Sequence, residues 1–288
     1  MTHSTTAEVD VPADEAPSIA RLQDCLCHAM NSENSVKAVR AVARKVLRRE
    51  PAIGPAAAEA REFSEMAAYL LAVKGVKQFV NLGCGFPAKP HLHETVQAAQ
   101  RDTRTLYVDN DRVVMAHVNN CLSLHCQSYS GPAIADSLLA DITEPETVLE
   151  SPQFRDTIDL RLPVALILDS TWHFLPDPPD RPLRHVMAAY KEVVAPSSAI
   201  ILTHLTSDFD PKAMGKAAAV LAEARLPIYP RSQREILDLV HGWRILPPAK
   251  QAPYRYLHPV QKAPADGSLC AAAYAVVARK PGVSEALR

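Results

Sequence analysis

Apolar positions fall into two regimes that meet near residue 75. Upstream, Val36, Val39, Val42, Val46 and Leu47 recur at helical spacing. Three helices are predicted near 17–30, 35–49 and 56–73, with Pro51 and the Gly54-Pro55 pair dividing the second from the third. Downstream, short apolar runs alternate with helical stretches. Strands are predicted at 76–82, 105–109, 137–140, 164–168 and 199–203, and 243–246 and 271–278 are the last two, closing the sheet edge. Helices are predicted near 90–100, 111–122, 145–150, 182–194, 211–224 and 231–241, while 123–137 shows no readable period. The run Val164-Ala165-Leu166-Ile167-Leu168 is apolar without alternation, as a parallel strand covered on both faces must be. The pattern predicts an α/β chain: a polar tail over 1–16, expected to be disordered, a helical cap over 17–74, and a domain over 75–288 with a mostly parallel, seven-stranded sheet.

The strand ending at Leu82 runs into Gly83-Cys84-Gly85, and the next strand ends at Asp109-Asn110. Glycines let backbone approach a ligand where a Cβ would collide. An acidic side chain ending the following strand can accept from both hydroxyls of a ribose. Asp141-Ile142, ending the third strand, can frame an adenine by hydrogen bonding and packing, with Asn110 lining the same pocket. Gly83-Cys84-Gly85-Phe86-Pro87-Ala88 also fits the dinucleotide fingerprint formally, so an NAD enzyme is an alternative. That fingerprint needs a helix to open at the turn and hold a pyrophosphate, whereas Pro87, Lys89 and Pro90 delay the helix to about His91. A wide turn suits a nucleoside without phosphates, and S-adenosylmethionine is such a ligand.

Composition adds mostly exclusions. With 48% hydrophobic and 22% charged residues and a net charge of −1, the chain carries no basic footprint for nucleic acid. No apolar window is long enough to predict a membrane span, and residues 1–16 lack a signal-peptide core, so a cytoplasmic protein is expected. The six cysteines are read as free thiols, and neither Cys25-x-Cys27-His28, His125-Cys126 nor His91-x-His93 completes a metal set; no metal is expected. A small-molecule substrate is expected, and a homodimer is compatible with the sequence.

The segments Gln78-Phe79-Val80-Asn81-Leu82-Gly83-Cys84-Gly85, Leu106-Tyr107-Val108-Asp109-Asn110-Asp111, Ala140-Asp141-Ile142 and His204-Leu205-Thr206-Ser207-Asp208-Phe209 resemble a bacterial family of S-adenosylmethionine-dependent methyltransferases, long catalogued as a domain of unknown function. The resemblance spans about residues 17–260. It implies a Rossmann-like class I methyltransferase fold with an N-terminal helical cap, S-adenosylmethionine as cofactor, and methylation of a small metabolite, as in secondary metabolism. Two departures stand out. The family's Arg-x-Tyr-Asp motif and following glycines are here Arg21-Leu22-Gln23-Asp24 and His28-Ala29. The end of the fourth strand, usually apolar, reads Asp169-Ser170-Thr171-Trp172-His173-Phe174.

In such folds the end of strand four faces the reacting methyl group, so His173 and Asp169 are expected as bases and Trp172 as a ring face for a cation. In the competing reading Trp172 and Phe174 are core and His173 caps the strand end. Ser170 is placed with the cofactor set, Arg21 is expected on the cofactor carboxylate, and Thr203 and His204 are candidates to reach the substrate. The added polar groups also permit another reaction, in which the cofactor amine attacks its own γ-carbon, releasing methylthioadenosine and closing an azetidine ring. A non-catalytic nucleoside-binding module is the remaining alternative.

Overall fold

The computed structural model describes residues 17–128, 134–246 and 272–282. The cap region supplies α1 (Ile19–Cys27), α2 (Lys37–Leu47) and α3 (Ile53–Val73). The sheet region follows as β1 (Gln78–Leu82), α4 (Leu92–Ala99), β2 (Arg104–Asp109), α5 (Arg112–Ser128), β3 (Ile134–Leu139), α6 (Pro145–Leu149), α7 (Pro152–Thr157) and β4 (Val164–Asp169). A single 3₁₀ turn, Trp172–Phe174, precedes α8 (Leu183–Val193), β5 (Ala199–Leu205), α9 (Pro211–Glu223), α10 (Gln233–Leu239), β6 (Arg244–Ile245) and β7 (Ala273–Arg279). Among the described residues the strands form one seven-stranded sheet in the order β3-β2-β1-β4-β5-β7-β6. All neighbouring pairs are parallel except those of β7 with β5 and β6.

Alternation of side chains across each strand builds two cores. Val80, Leu82, Leu166, Leu168, Ile200 and Leu202 face a layer that includes Val148, Phe154, Met187, Tyr190 and Ile236 of α6, α7, α8 and α10. Phe79, Ala165, Ile167, Ala199 and Ile201 face Ala67, Ala68, Leu71 and Ala72 of α3 and Val96 of α4. On that second face, Asn81, Asp169 and Thr203 occupy the alternate positions at the carboxyl ends of β1, β4 and β5. A third cluster ties α1 and α2 to α9, through Leu22, Val39 and Val46 against Met214, Ala217 and Leu221. Thus α3 packs along the sheet, α1 roofs its carboxyl end, and α2 lies between α1 and α9.

Local chemistry sets several boundaries. Ser18 accepts from the Arg21 amide, and Asp210 from Ala213, with Pro211 at the first helical position where its missing N–H costs nothing. Ser151 caps α7 by accepting from the Phe154 amide at 3.1 Å. This short helix lay unpredicted between α6 and β4, because six residues carry too little period to read. The structure also resolves part of the unreadable stretch: α5 continues to Ser128 and β3 starts at Ile134, three residues before the expected Ser137. The β3 register stays ambiguous in sequence because Asp136 and Ser137 interrupt its apolar run on a half-exposed edge strand. The predicted 1–16 tail, the segment 247–268 and Cys270 lie outside the described residues.

Candidate functional site

The strand order reverses between β1 and β4, and the crevice of such a sheet lies beyond the carboxyl ends at that point. A cavity of about 280 Å³ occupies it, roofed by Ile19, Gln23, Asp24 and Cys27 of α1. Its floor is the glycine loop. Gly83 has φ +77° and Gly85 φ +62°, backbone that side chains strain to adopt. A Cβ on Gly83 would lie 2.2 Å from Thr171 Cγ2, so the loop after β1 and the turn after β4 interlock. Thr171 Oγ1 donates to the Gly83 carbonyl at 2.9 Å and fastens them.

Asp109 ends β2 beside that loop. Its Oδ2 accepts from the Gly85 amide at 2.9 Å and its Oδ1 from the Asp111 amide at 3.0 Å. Burial raises its pKa, and those two amides oppose the shift. The carboxylate therefore holds the glycine loop while its remaining lone pairs face the cavity. Asn110, Asp141 and Ile142 continue the same wall. Asp141 Oδ1 accepts from the amide and the hydroxyl of Thr143, both at 2.8 Å, which fixes that carboxylate at the rim.

At the opposite end stands Asp169. Its Oδ1 accepts from Thr203 Oγ1 at 2.7 Å and from Ser170 Oγ at 3.2 Å. It keeps some open surface on the cavity, yet the atoms packed around it are dense enough that burial raises its pKa; Arg61 is the largest opposing influence. Ser170 adopts φ +54°, held by its amide donating to Thr203 Oγ1 at 2.8 Å. Ser170 thus turns the chain back over β5, the left-handed geometry stabilised by a hydroxyl that also serves Asp169.

Arg61, absent from the sequence-based expectations, belongs to this end. It rises from the inner face of α3 and lines both the main cavity and an adjoining chamber of about 60 Å³. One guanidinium nitrogen donates to the Phe86 carbonyl at 3.2 Å, and Nη1 is buried without a protein partner. Asn81 Oδ1, likewise buried and unsatisfied, lines the same chamber, as does Ser64. Burial opposes the Arg61 charge, and a Cys27 thiolate would favour it; Cys27 is itself pushed up to about 12 by burial, so at neutral pH the carboxylates of Asp169 and Asp24 hold the guanidinium charged. Arg61 sits in an Ala-rich helical stretch, Ala56-Ala57-Ala58-Glu59-Ala60-Arg61. An isolated cation on a helix face that is otherwise small and buried was the available signal.

The structure brings Gly83, Gly85, Asp109, Asn110, Asp141, Ile142, Asp169 and Ser170 together on one cavity. Three expected residues are placed elsewhere. Trp172 is fully buried in the core under β4 and lines neither cavity. His173 lies behind the turn, its Nδ1 accepting from the Leu205 amide at 3.4 Å, and burial pushes its pKa well down, helped by His204 and Arg231. Arg21 donates to the Asn34 carbonyl at 2.6 Å and packs its guanidinium 5.5 Å over the Phe86 ring, behind the cavity wall. A 3₁₀ turn after Thr171 rotates Trp172 and His173 inward; the linear sequence does not disclose that rotation. Thr203 reaches the site through Asp169 and Ser170 without lining the cavity, and His204 is buried against Arg231.

Arg231 explains the inward turn. It donates to the carbonyls of Trp172 and Leu175, each at 2.9 Å, and its Nη1 lies 2.9 Å from His204 Nε2. His204 Nδ1, 2.7 Å from the Leu205 carbonyl, carries the proton, and burial with Arg231 drives the imidazole down to about 3. The neutral ring is then an acceptor for the guanidinium.

A wide loop after Gly85, a ribose-height carboxylate and a charged pair at the far end fit an amino-acid-bearing nucleoside, and α4 begins only at Leu92, too late to cradle a pyrophosphate. The comparison with known proteins agrees. The chain matches the S-adenosyl methyltransferase family over residues 4–281. It belongs to that family. A DUF574 family protein from Streptomyces avermitilis has a similar structure, with TM-score 0.81 and 28% identity, covering 93% of this chain and 99% of that one. A candidate methyltransferase from Thermobifida fusca is similar at TM-score 0.80 and 27% identity, covering 93% of this chain and 96% of that one. No curated protein matches the chain. The methyltransferase thus has S-adenosylmethionine as its cofactor, on a Rossmann-like sheet. Among the described residues no helix is long and apolar enough to cross a membrane, and no three His, Cys, Asp or Glu side chains are grouped to hold a metal.

Proposed function

We propose that the methyltransferase acts on a small molecule admitted beneath α1, with its own residues dividing the cofactor between them as follows. Asp109 takes the ribose hydroxyls. Asp141, Ile142 and Asn110 hold the adenine. The Gly83–Gly85 backbone carries the methionine tail, Arg61 takes its carboxylate, and Asp169 takes its ammonium. The observation that carries this reading is the opposed pair: a guanidinium with a buried, unsatisfied Nη1 and a carboxylate anchored by Thr203, both facing one cavity. A zwitterion satisfies both ends, and each charged hydrogen bond contributes about 1.5–3 kcal/mol.

When bound, the cofactor supplies an already activated methyl group, so the protein's task is orientation and exclusion of water. Gln23, Cys27, Phe174 and Leu175 line the part of the cavity left for an acceptor. The thiol of Cys27, donating to the Ala57 carbonyl at 3.3 Å, stays protonated and does not compete for the methyl group. Trp172 and His173 support the site by filling and fixing the turn that presents Ser170 and Thr171.

One observation keeps ring closure as a second reading: a carboxylate whose pKa is raised by burial stands where the cofactor amine is proposed to lie, and could take its proton. One pair of experiments separates the readings. Thermal shifts with S-adenosylhomocysteine and with NAD test the pocket, and only the former is expected to raise the midpoint. Mass spectrometry after incubation with S-adenosylmethionine then tests the reaction. Methylated product with an acceptor mixture supports transfer, methylthioadenosine from cofactor alone supports cyclisation, and a shift with NAD alone removes both.

A further inference from the structure

The outer face of α3 carries an apolar stripe that the fold does not use. Met66, Tyr69, Leu70 and Val73 are 53%, 38%, 48% and 58% exposed. Their spacing is i, i+3, i+4, i+7, one continuous helical row. The opposite face of the same turns is already buried, with Ala67, Ala68, Leu71 and Ala72 against the sheet. The second half of α3 is therefore apolar all round, the composition of a helix covered on both sides. Scattered exposed apolar residues need no explanation, but a contiguous row on one helix marks a contact surface.

Charge along the helix says what covers it. Glu62 lies exposed one turn before the stripe, and Lys74 lies exposed at its end; Lys77, beyond the helix, is already paired with Asp102 at 2.6 Å. Parallel contact with an identical helix would set Glu62 against Glu62. A two-fold axis between Tyr69 and Leu70 instead sets Tyr69 against the partner's Leu70, Met66 against the partner's Val73, and the Glu62 end of one helix beside the Lys74 end of the other. The row is thus complementary to itself, the condition an isologous dimer requires. We propose that the methyltransferase forms a two-fold dimer through antiparallel pairing of α3 with α3 of a second copy. Four side chains per copy make a small interface, so association is weak and depends on concentration. Arg61 and Ser64 sit on the inner face of the same helix, so the dimer braces the element that presents them to the cofactor end of the site.

Sedimentation equilibrium on the full chain tests this over a micromolar concentration series. The mass is expected to rise from one chain to two. Leu70→Lys brings two ammonium groups, one from each copy, to either side of the axis in an otherwise apolar contact; it should hold the mass at one chain, raising the dissociation constant about a hundredfold. The thermal shift with S-adenosylhomocysteine should stay that of the wild type, showing that the variant is folded. An equimolar mixture of Leu70→Lys and Leu70→Glu chains should re-form the dimer, which only a face opposed to itself can do. A wild-type mass of one chain at every concentration overturns the proposal. So does a dimer indifferent to Leu70→Lys, or a mixture that stays monomeric.

Discussion

Replacing Arg61 with methionine tests the assignment of the methionine-tail end of the site. Methionine keeps most of the apolar stem and removes the guanidinium. In the protein the guanidinium is committed through one nitrogen to the Phe86 carbonyl, while Nη1 is buried without a protein partner on a side chain that lines both the cavity and its adjoining chamber. A carboxylate bound there gains at least one charged hydrogen bond out of reach of bulk water, about 1.5–3 kcal/mol. At roughly 1.4 kcal/mol per tenfold, the variant should bind S-adenosylhomocysteine about 10- to 150-fold more weakly. Methylthioadenosine provides the control, since it keeps the adenosine and lacks the carboxylate; its affinity should not change. Titration calorimetry with both ligands on both proteins closes the cycle. Equal losses for the two ligands would mean that the substitution disturbs the loop as a whole. No loss for either would remove Arg61 from the site.

Four further outcomes are expected. Gly83→Ala must place a Cβ 2.2 Å from Thr171 Cγ2 at φ +77°, and should destabilise by roughly 2–5 kcal/mol in denaturant unfolding; adding Thr171→Ser removes that overlap but leaves the 2.9 Å approach to the hydroxyl oxygen and the φ cost, and so recovers only part of the loss. Because burial raises the Asp169 pKa above its ordinary value, folding favours the protonated form and ligand ammonium favours the carboxylate. Affinity for S-adenosylhomocysteine should therefore climb, and the Asp169 contribution to apo stability decline, as pH rises from the ordinary carboxylate range through the raised pKa; Asp169→Asn should flatten the affinity curve and remove that contribution, read as the difference between the two stability curves because Asp109 and Glu65, raised, and His173 and His204, lowered, shape both curves alike. Arg231→Met strands the carbonyls of Trp172 and Leu175 in the interior and should cost about 2–6 kcal/mol, read as a lower unfolding midpoint. His173→Gln should lower that midpoint while leaving cofactor affinity unchanged in calorimetry, since the imidazole lines neither cofactor cavity; a large affinity loss without destabilisation would return His173 to the site.

Much of the fold was legible because its signals are local. The glycine loop follows an apolar strand directly, and Asp109 follows one crossover later, so their meeting needs only a right-handed β-α-β unit. Asp141 and Ile142 follow from the same rule applied once more. The misplaced residues fail for a shared reason. Asp169, Ser170, Thr171, Trp172 and His173 are consecutive, and a strand end gives each equal claim to the crevice. A positive φ at Ser170 and a 3₁₀ turn, both fixed by Thr203 and Arg231 from elsewhere in the chain, decide which three face inward to the cavity and which two turn to the core. Arg21 is expected at the carboxylate because the family cap folds over that end; the structure instead turns Arg61, on the next helix but one, toward the cavity, and the proposal gives it that role.

By itself the sequence determined the layered α/β sheet, the meeting of the glycine loop with Asp109 at its crevice and the late start of the helix after that loop, since each depends on period, turn chemistry and residues within one crossover. Only the tertiary structure decided which charged groups confront each other across the cavity. Arg61, Asp169 and Thr203 come from α3, β4 and β5, far apart in the chain, and are brought together by the packing of α3 on one face of the sheet. Side-chain periodicity gives the face on which a residue lies; it carries no information about what stands opposite.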